Sequence, residues 1–381
     1  MKTVCTTNQC AGCMACVDIC PKSAITVQDN LDSYNALIDE KKCIKCNACH
    51  NVCQYNYPAQ LKKSIAWKQG WASDEIRSKG SSGGLGTAII KSFIGEHCYV
   101  AACCFRKGEF VFDITNNVED SYEFTGSKYV KSNPEGIYKK VRDRLLHGNR
   151  VLFIGLPCQV SSMKNFIGER LQKNLYTIDL ICHGSPSPQL LALSMKEYGF
   201  DIDKIKNIYF RQNTSFGLMA DIRRVVPNRV LDRYLIAFLK GLCYTDNCYN
   251  CHYAQAQRAG DITLGDSWGT ELKEEMRNGV SLALCQTEKG IELLNTAGLT
   301  LKDVDLKNAI ENNHQLREPS AKPAGREKFF NTLNKTGNFN KAVASVYKKE
   351  CFKEDLKKTL ISLHIIGGGV TDNPYKIYIK T

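Results

Sequence analysis

The clearest hydrophobic pattern lies mid-chain, where Arg150 leads into the apolar run Val151-Leu152-Phe153-Ile154-Gly155. A short unbroken run of this kind, rich in branched and aromatic residues, predicts a buried strand. Leu156-Pro157-Cys158 turns the chain, residues 159–167 have helical spacing, a second strand is predicted over 175–181, and a helix follows Pro188. Strand, helix, strand over about thirty residues is the pattern of a parallel crossover unit. Upstream, Ile65-Ala66-Trp67 is strand-like, and Ser81-Ser82-Gly83-Gly84-Leu85-Gly86-Thr87 opens a helical stretch over 88–94. Further strands are predicted at 99–103, 110–114, 205–210, 221–226, 261–264 and 280–285. Residues 326–366 read as helix, ended by Gly367-Gly368-Gly369.

At 381 residues the chain exceeds the roughly 150 of one ordinary domain, so several domains are expected. With 43% hydrophobic and 24% charged residues it has a soluble globular composition, which excludes wholesale disorder and collagen-like structure. No apolar run approaches the roughly 18 residues of a membrane span. The first residues, Met1-Lys2-Thr3-Val4-Cys5, lack the basic and apolar blocks of a secretory signal, so a cytoplasmic protein is expected. The formal charge of +12 lies outside residues 1–57, where five lysines meet five acids. From Arg326 onward eleven basic residues face five acidic ones, a pattern that reads as a solvated helix face rather than a nucleic-acid surface.

The 19 cysteines change the picture, because an odd number in a long chain of this kind points to metal rather than disulfides. Cys10-x2-Cys13-x2-Cys16-x3-Cys20-Pro21 and Cys43-x2-Cys46-x2-Cys49-x3-Cys53 have the spacing of bacterial two-cluster ferredoxins. A tight loop turns three thiolates towards one cube, and the fourth, displaced past a turn, serves the sister cube. One 4Fe–4S cluster is therefore expected on Cys10, Cys13, Cys16 and Cys53, and the other on Cys43, Cys46, Cys49 and Cys20. Gln54 stands where the second run would have proline. Structural zinc favours separate CxxC pairs over this eight-thiol interleaving.

A second constellation follows from the crossover unit. Cys158 and Cys182 stand at the ends of consecutive strands, where open sheets gather ligands, and Cys248-Tyr249-Asn250-Cys251 adds a CxxC pair. These four thiols could hold a third 4Fe–4S cluster, a structural zinc, or nothing in common. Cys243 is a reserve ligand. Cys98, Cys103, Cys104 and Cys285 fall in apolar runs as small core residues, and Cys5 and Cys351 have no evident partner. Ser81-Ser82-Gly83-Gly84 ahead of a helix offers backbone N–H groups to phosphate. Gly126-Ser127-Lys128-Tyr129 adds a cation and a ring, His183 a proton donor at the crevice mouth, and Asp266 a cap, turn former or cofactor contact. Each of these is equally compatible with an ordinary loop or structural role.

Together, Ser81–Gly84, Gly126–Tyr129, Gly155-Leu156-Pro157-Cys158-Gln159, Ile181-Cys182-His183-Gly184, Cys248–Cys251 and Asp261–Gly269 resemble the family of coenzyme F420 hydrogenase/dehydrogenase beta subunits. The resemblance covers about residues 1–300 and is nearest to the bacterial branch associated with surface-polysaccharide gene clusters. Leu156 stands where many members have threonine. The resemblance implies a third 4Fe–4S cluster on Cys158, Cys182, Cys248 and Cys251. It also implies FAD held by Ser81, Ser82, Gly83, Gly84, Thr87, Gly126, Ser127, Lys128, Tyr129, Gln159 and Asp266, with His183 as the catalytic group.

The expected fold is α/β (α+β overall). A ferredoxin-like domain (1–57) precedes a mixed or parallel-sheet flavoprotein core (58–200 and 201–325) and a basic helical tail (326–381). The expected function is an iron–sulfur flavoprotein oxidoreductase. It would pass electrons between the clusters and FAD, which acts on a small organic substrate or coenzyme F420, with ferredoxin or part of a partner enzyme as redox partner. The alternatives are a non-catalytic electron-transfer subunit, wiring a partner in surface-polysaccharide biosynthesis, and a zinc-binding nucleic-acid module.

Overall fold

The computed structural model describes residues 2–212 and 214–366. Gly367-Gly368-Gly369 and the remainder of the tail lie outside the described residues. At the N-terminus, β1 (Lys2–Thr3), β2 (Ile25–Asp29) and β3 (Tyr34–Ile38) form a small antiparallel sheet in the order β1-β3-β2. Two short helices, Ala15–Ile19 and Ala48–Val52, are each entered through a left-handed residue, Met14 or Asn47, both at φ 58°. The two cysteine runs therefore build the same loop twice.

The core strands are β4 (Ala66–Trp71), β5 (Cys98–Arg106), β6 (Glu109–Thr115), β7 (Arg150–Gly155) and β8 (Leu175–Leu180). A separate three-stranded sheet follows, from β9 (Ile208–Gln212), β10 (Ser215–Ala220) and β11 (Arg223–Arg224), before β12 (Ile262–Asp266), β13 (Ser281–Cys285) and β14 (Thr300–Lys302) return to the main sheet. Its eight strands run in the order β14-β4-β13-β12-β8-β7-β5-β6. The central pairs β5–β7, β7–β8 and β8–β12 are parallel and the flanking ones antiparallel, so the chain is a mixed α/β protein. Both faces of the parallel strands are covered, as their unbroken apolar runs require. Val151 and Phe153 point to a core shared with the ferredoxin-like domain, while Leu152 and Ile178 point to one closed by the helices Leu85–Phe93 and Glu288–Thr296.

The crossover unit forms where the sequence puts it, with the helix Pro157–Ile167 between β7 and β8. Two details differ. The predicted strand 221–226 is reduced to Arg223–Arg224, and the longer strand β10 precedes it. Ser215-Phe216-Gly217-Leu218-Met219-Ala220 contains no β-branched residue and so gives no strand signal. The helical stretch 326–366 is three helices, Arg326–Thr336, Phe339–Val346 and Lys348–Ser362. Gly337 ends the first in a left-handed turn, and the Asn338 side chain, accepting from Lys341 N–H, starts the next. Among the described residues no helix is long and apolar enough to cross a membrane.

Candidate redox site

Each cysteine loop points a thiol back at its own backbone: Gly12 N–H donates to Cys10 Sγ and Lys45 N–H to Cys43 Sγ, both at 3.4 Å. The fourth cysteine of each run lies with the first three of the other. Cys10, Cys13, Cys16 and Cys53 line one cavity together with Cys5, and Cys20, Cys43, Cys46 and Cys49 line a second. The first is an inner site of buried thiols, whereas the second opens outward, with Cys46 exposed. Burial pushes the Cys13 thiol up to about 12 and Cys16 well above its ordinary value. Bare thiolates are thus costly here, and a bound iron–sulfur cluster would supply the missing counter-charge. Among the described residues no three His, Cys, Asp or Glu side chains converge enough to grip a single ion. A zinc ion would need sulfurs at about 2.3 Å, whereas these donors come as two interleaved sets of four thiols. The donor sets fit 4Fe–4S clusters.

Cys158, Cys182, Cys248 and Cys251 converge from three elements. Cys158 sits in the first turn of the helix after β7, Cys182 just past β8, and Cys248 in the short helix Asp246–Asn250 that Cys251 follows. The last two segments are tied together: Thr245 N–H donates to Ser185 O at 3.2 Å, and Pro186 bridges to Tyr244. Gly184, at φ +137°, lies where a Cβ would be 2.3 Å from the Tyr244 ring, so only glycine lets the loops approach. Burial raises Cys158, Cys182 and Cys251, and repulsion between neighbouring thiolates adds to it, Cys251 and Cys182 acting on Cys158, and Cys248 and Cys251 on Cys182. Four thiols close enough to repel one another again suit a cluster. Cys243 lies elsewhere, fully buried in the core under the small sheet.

The three thiol groups adjoin in order. After burial and its nearer neighbours, Cys16 feels Cys49 of the outer site, and Cys158 feels Cys13 of the inner one. The helix Pro157–Ile167 is the hinge-pin of this arrangement. Its N-terminal turn carries Cys158, and its flank holds the N-terminal domain: Ser161 Oγ accepts from Ala59 N–H at 2.8 Å, and Asn165 Nδ2 donates to Tyr57 O at 2.7 Å. Tyr138 closes the seam, its hydroxyl donating to Cys13 O.

Strand register places the remaining candidates on the same sheet edge. Parallel pairing sets Leu264 beside Leu180, the last residue of β8, so that Asp266 lies just past that strand end, and antiparallel pairing sets Ser281 opposite Asp266 and Gly70 opposite Ser281. Ser81–Gly84 turns over that edge, where Ser127 N–H donates to Ser81 Oγ at 2.9 Å. Gly84, at φ 82°, leads into Leu85–Phe93, a helix whose first turn has no side-chain cap, so its N–H groups are free for an anion. Thr87 lies in that helix, partly exposed. The edge fits a phosphate-bearing group at this point. Other candidates are satisfied within the protein. Lys128 Nζ donates to Phe124 O and Thr125 O, Asp266 takes Arg211 at 2.6 Å, and Gln159 bonds Leu156 N–H and Ser132. Tyr129 stacks on Phe238, and His183 is exposed at the rim, with crowding lowering its pKa against the pull of Asp266.

A Cβ on Gly83 would meet Gly70 O at 2.4 Å and Ser281 N at 2.8 Å, both backbone. Gly83→Ala is therefore expected to cost about 1–3 kcal/mol of stability, read by chemical denaturation, because neither atom can rotate away. An unchanged midpoint would mean that the turn does not pack on this edge.

Residues 9–57 match the 4Fe-4S dicluster domain, and residues 148–308 match the family described as the C terminus of the coenzyme F420 hydrogenase/dehydrogenase beta subunit. Over those residues the chain resembles the C-terminal part of F420 hydrogenase/dehydrogenase beta subunits. The match to this family takes in Cys158, Cys182, Cys248, Cys251 and Asp266, while the Ser81–Gly84 turn lies before it. The F component of the F(420)H(2) dehydrogenase of Methanosarcina mazei is 24% identical over 190 residues, 45% of this chain and 53% of that protein. The chain thus spans about half the length of the curated relative it matches. A chain of the F420-reducing nickel–iron hydrogenase complex from Methanosarcina barkeri superposes with a TM-score of 0.47 at 17% identity, over 72% of this chain and 95% of that one. The protein is an iron–sulfur electron-transfer protein related to these beta subunits.

Sequence reasoning missed four side chains at these sites. Cys5 lies beside Cys10 and Cys53, and its thiol holds both below their ordinary values while Cys5 itself is driven up. Arg258 and Asp179 form a fully buried pair at 2.8 Å behind the third thiol group. Lys131 is buried between thiol groups. Neither Cys5 nor Lys131 belongs to a spaced motif, so nothing in the sequence marked them.

Proposed function

We propose that the protein is an oxidoreductase in which electrons enter at the outer cysteine site, move through the inner site to Cys158, Cys182, Cys248 and Cys251, and meet FAD at the Ser81–Gly84 edge. The observation that carries this reading is the succession of three adjoining thiol groups leading from an exposed cysteine to the C-terminal edge of a parallel sheet. When bound, the clusters supply single-electron transfer and the flavin exchanges it for a hydride. The protein holds the donors, excludes water from the inner ones, and offers the open turn before Leu85 to the cofactor phosphate. A deazaflavin of the F420 type or a small organic molecule is the substrate, with His183 at the rim as proton donor. The many free thiols suit the reducing cytoplasm. The surface-polysaccharide context rests on sequence resemblance.

Protein purified without oxygen is expected to contain about twelve iron atoms and one flavin per chain, and Cys158→Ala about eight iron atoms. Wild-type iron near eight, or no loss in Cys158→Ala, overturns the third cluster. A second reading is favoured by the internal bonding of Lys128 and Asp266: a non-catalytic subunit that wires a partner enzyme. It predicts full iron without flavin absorption and no turnover by the isolated chain.

A further inference from the structure

Lys131 is 5% exposed, and among the described residues no carboxylate lies within ion-pair distance of its ammonium. Its Nζ donates to Ala11 O at 3.0 Å and lies 5.1 Å from the Tyr34 ring centre. Ala11 stands between Cys10 and Cys13, so the ammonium rests on the loop that carries two inner-site ligands. The fit is close: a Cβ on Gly12 would be 3.1 Å from Lys131 Cδ. At the other end, Lys131 N–H donates to Pro186 O at 2.9 Å, in the loop that follows Cys182. One residue therefore spans the seam between the inner site and the third thiol group. Arg258, the other buried cation here, is neutralised by Asp179. Among the described residues Lys131 has no such partner.

A buried ammonium with only a carbonyl and a ring for company is unfavourable unless a negative charge sits nearby. Cluster–thiolate assemblies are net anions, and each becomes more negative on reduction. A fixed cation at the seam meets its counter-charge in the assembled protein, and it favours the reduced state of its neighbours. We propose that Lys131 is the positive charge shared by the inner and third cluster sites, raising the reduction potentials of both so that electrons run inward from the outer one. The part concerning the third site rests on the function proposed above, whereas the inner site rests on the dicluster domain alone. Lys131 is a positioning residue, because it acts through the clusters and not on substrate.

The test is an EPR-monitored redox titration of the anaerobically purified full chain, comparing wild type with K131R, K131Q and K131M. In K131Q and K131M the inner and third centres are expected to become at least tenfold harder to reduce, a one-electron shift of about 59 mV. The outer centre stays unchanged as internal reference, and K131R stays near wild type. If K131Q and K131M instead lose inner-site iron while K131R retains it, the requirement for the charge is equally supported. Wild-type potentials in K131M, equal shifts in all three centres, or a K131R that behaves like K131M would overturn the proposal. Wild-type protein with only two centres would sink the third-cluster reading and leave the inner centre to decide the role of Lys131.

Discussion

Replacing Cys5 and Cys53 together with alanine is expected to abolish the inner cluster and spare the outer one, although Cys53 follows the outer ligands Cys43, Cys46 and Cys49 in the chain. The double change is needed because Cys5 lies within hydrogen-bonding reach of Cys53 and could take over its place. Iron is expected to fall by about four atoms per chain, and an added chelator should quickly strip the four-iron cluster that remains in the N-terminal domain, since Cys46 is exposed. Cys20→Ala is the mirror experiment, in which the surviving cluster of that domain should resist the same chelator. Had each run served its own cluster, the two results would be exchanged.

Arg258→Met is expected to be among the most damaging single changes outside the cysteines. Asp179 accepts Arg258 Nε at 3.1 Å, Arg258 Nη2 at 2.8 Å and Gly260 N–H at 2.7 Å, with both partners of the ion pair out of contact with water. Removing the guanidinium strands a carboxylate in the sheet, at a cost of about 3–5 kcal/mol, or on the order of ten degrees in thermal midpoint. The same side chain ties Tyr253 O to Leu180 O, holding the segment after Cys251 against the end of β8. Loss of third-site iron should therefore accompany the loss of stability. A double change, Arg258→Met with Asp179→Leu, removes both charges and should recover most of the stability. If it is no better than Arg258→Met alone, charge burial is not the cause.

The sequence made some of this plain for physical reasons. Eight thiols at fixed spacing can be arranged in few ways, so the cysteine loops of the N-terminal domain were readable from spacing alone. The strands β7 and β8 were equally plain, because a strand covered on both faces has little choice but to be apolar throughout. The antiparallel half of the sheet was less so. β4 and β14 lie at its margin, and nothing in Ala66–Trp71 announces that its partners arrive much later in the chain. Lys131 illustrates a further limit. A lysine two residues past a Ser-Lys-Tyr loop looks like any surface lysine, and only the meeting of the Ala11 and Pro186 carbonyls around it reveals the burial. Asp266 shows the reverse, since the residue that claims it, Arg211, belongs to the separate sheet.

The pairing of β4 with β13 also sets a timetable for biosynthesis. β4 leaves the ribosome early, yet the strands that flank it are more than two hundred residues downstream. The eight N-terminal thiols emerge as a compact group and can receive iron while translation continues. The four between Cys158 and Cys251 cannot gather until most of the sheet exists. On the function proposed above, maturation is expected to proceed in two instalments, so that a cell short of iron–sulfur assembly capacity accumulates half-loaded chains with a finished outer arm and an incomplete centre.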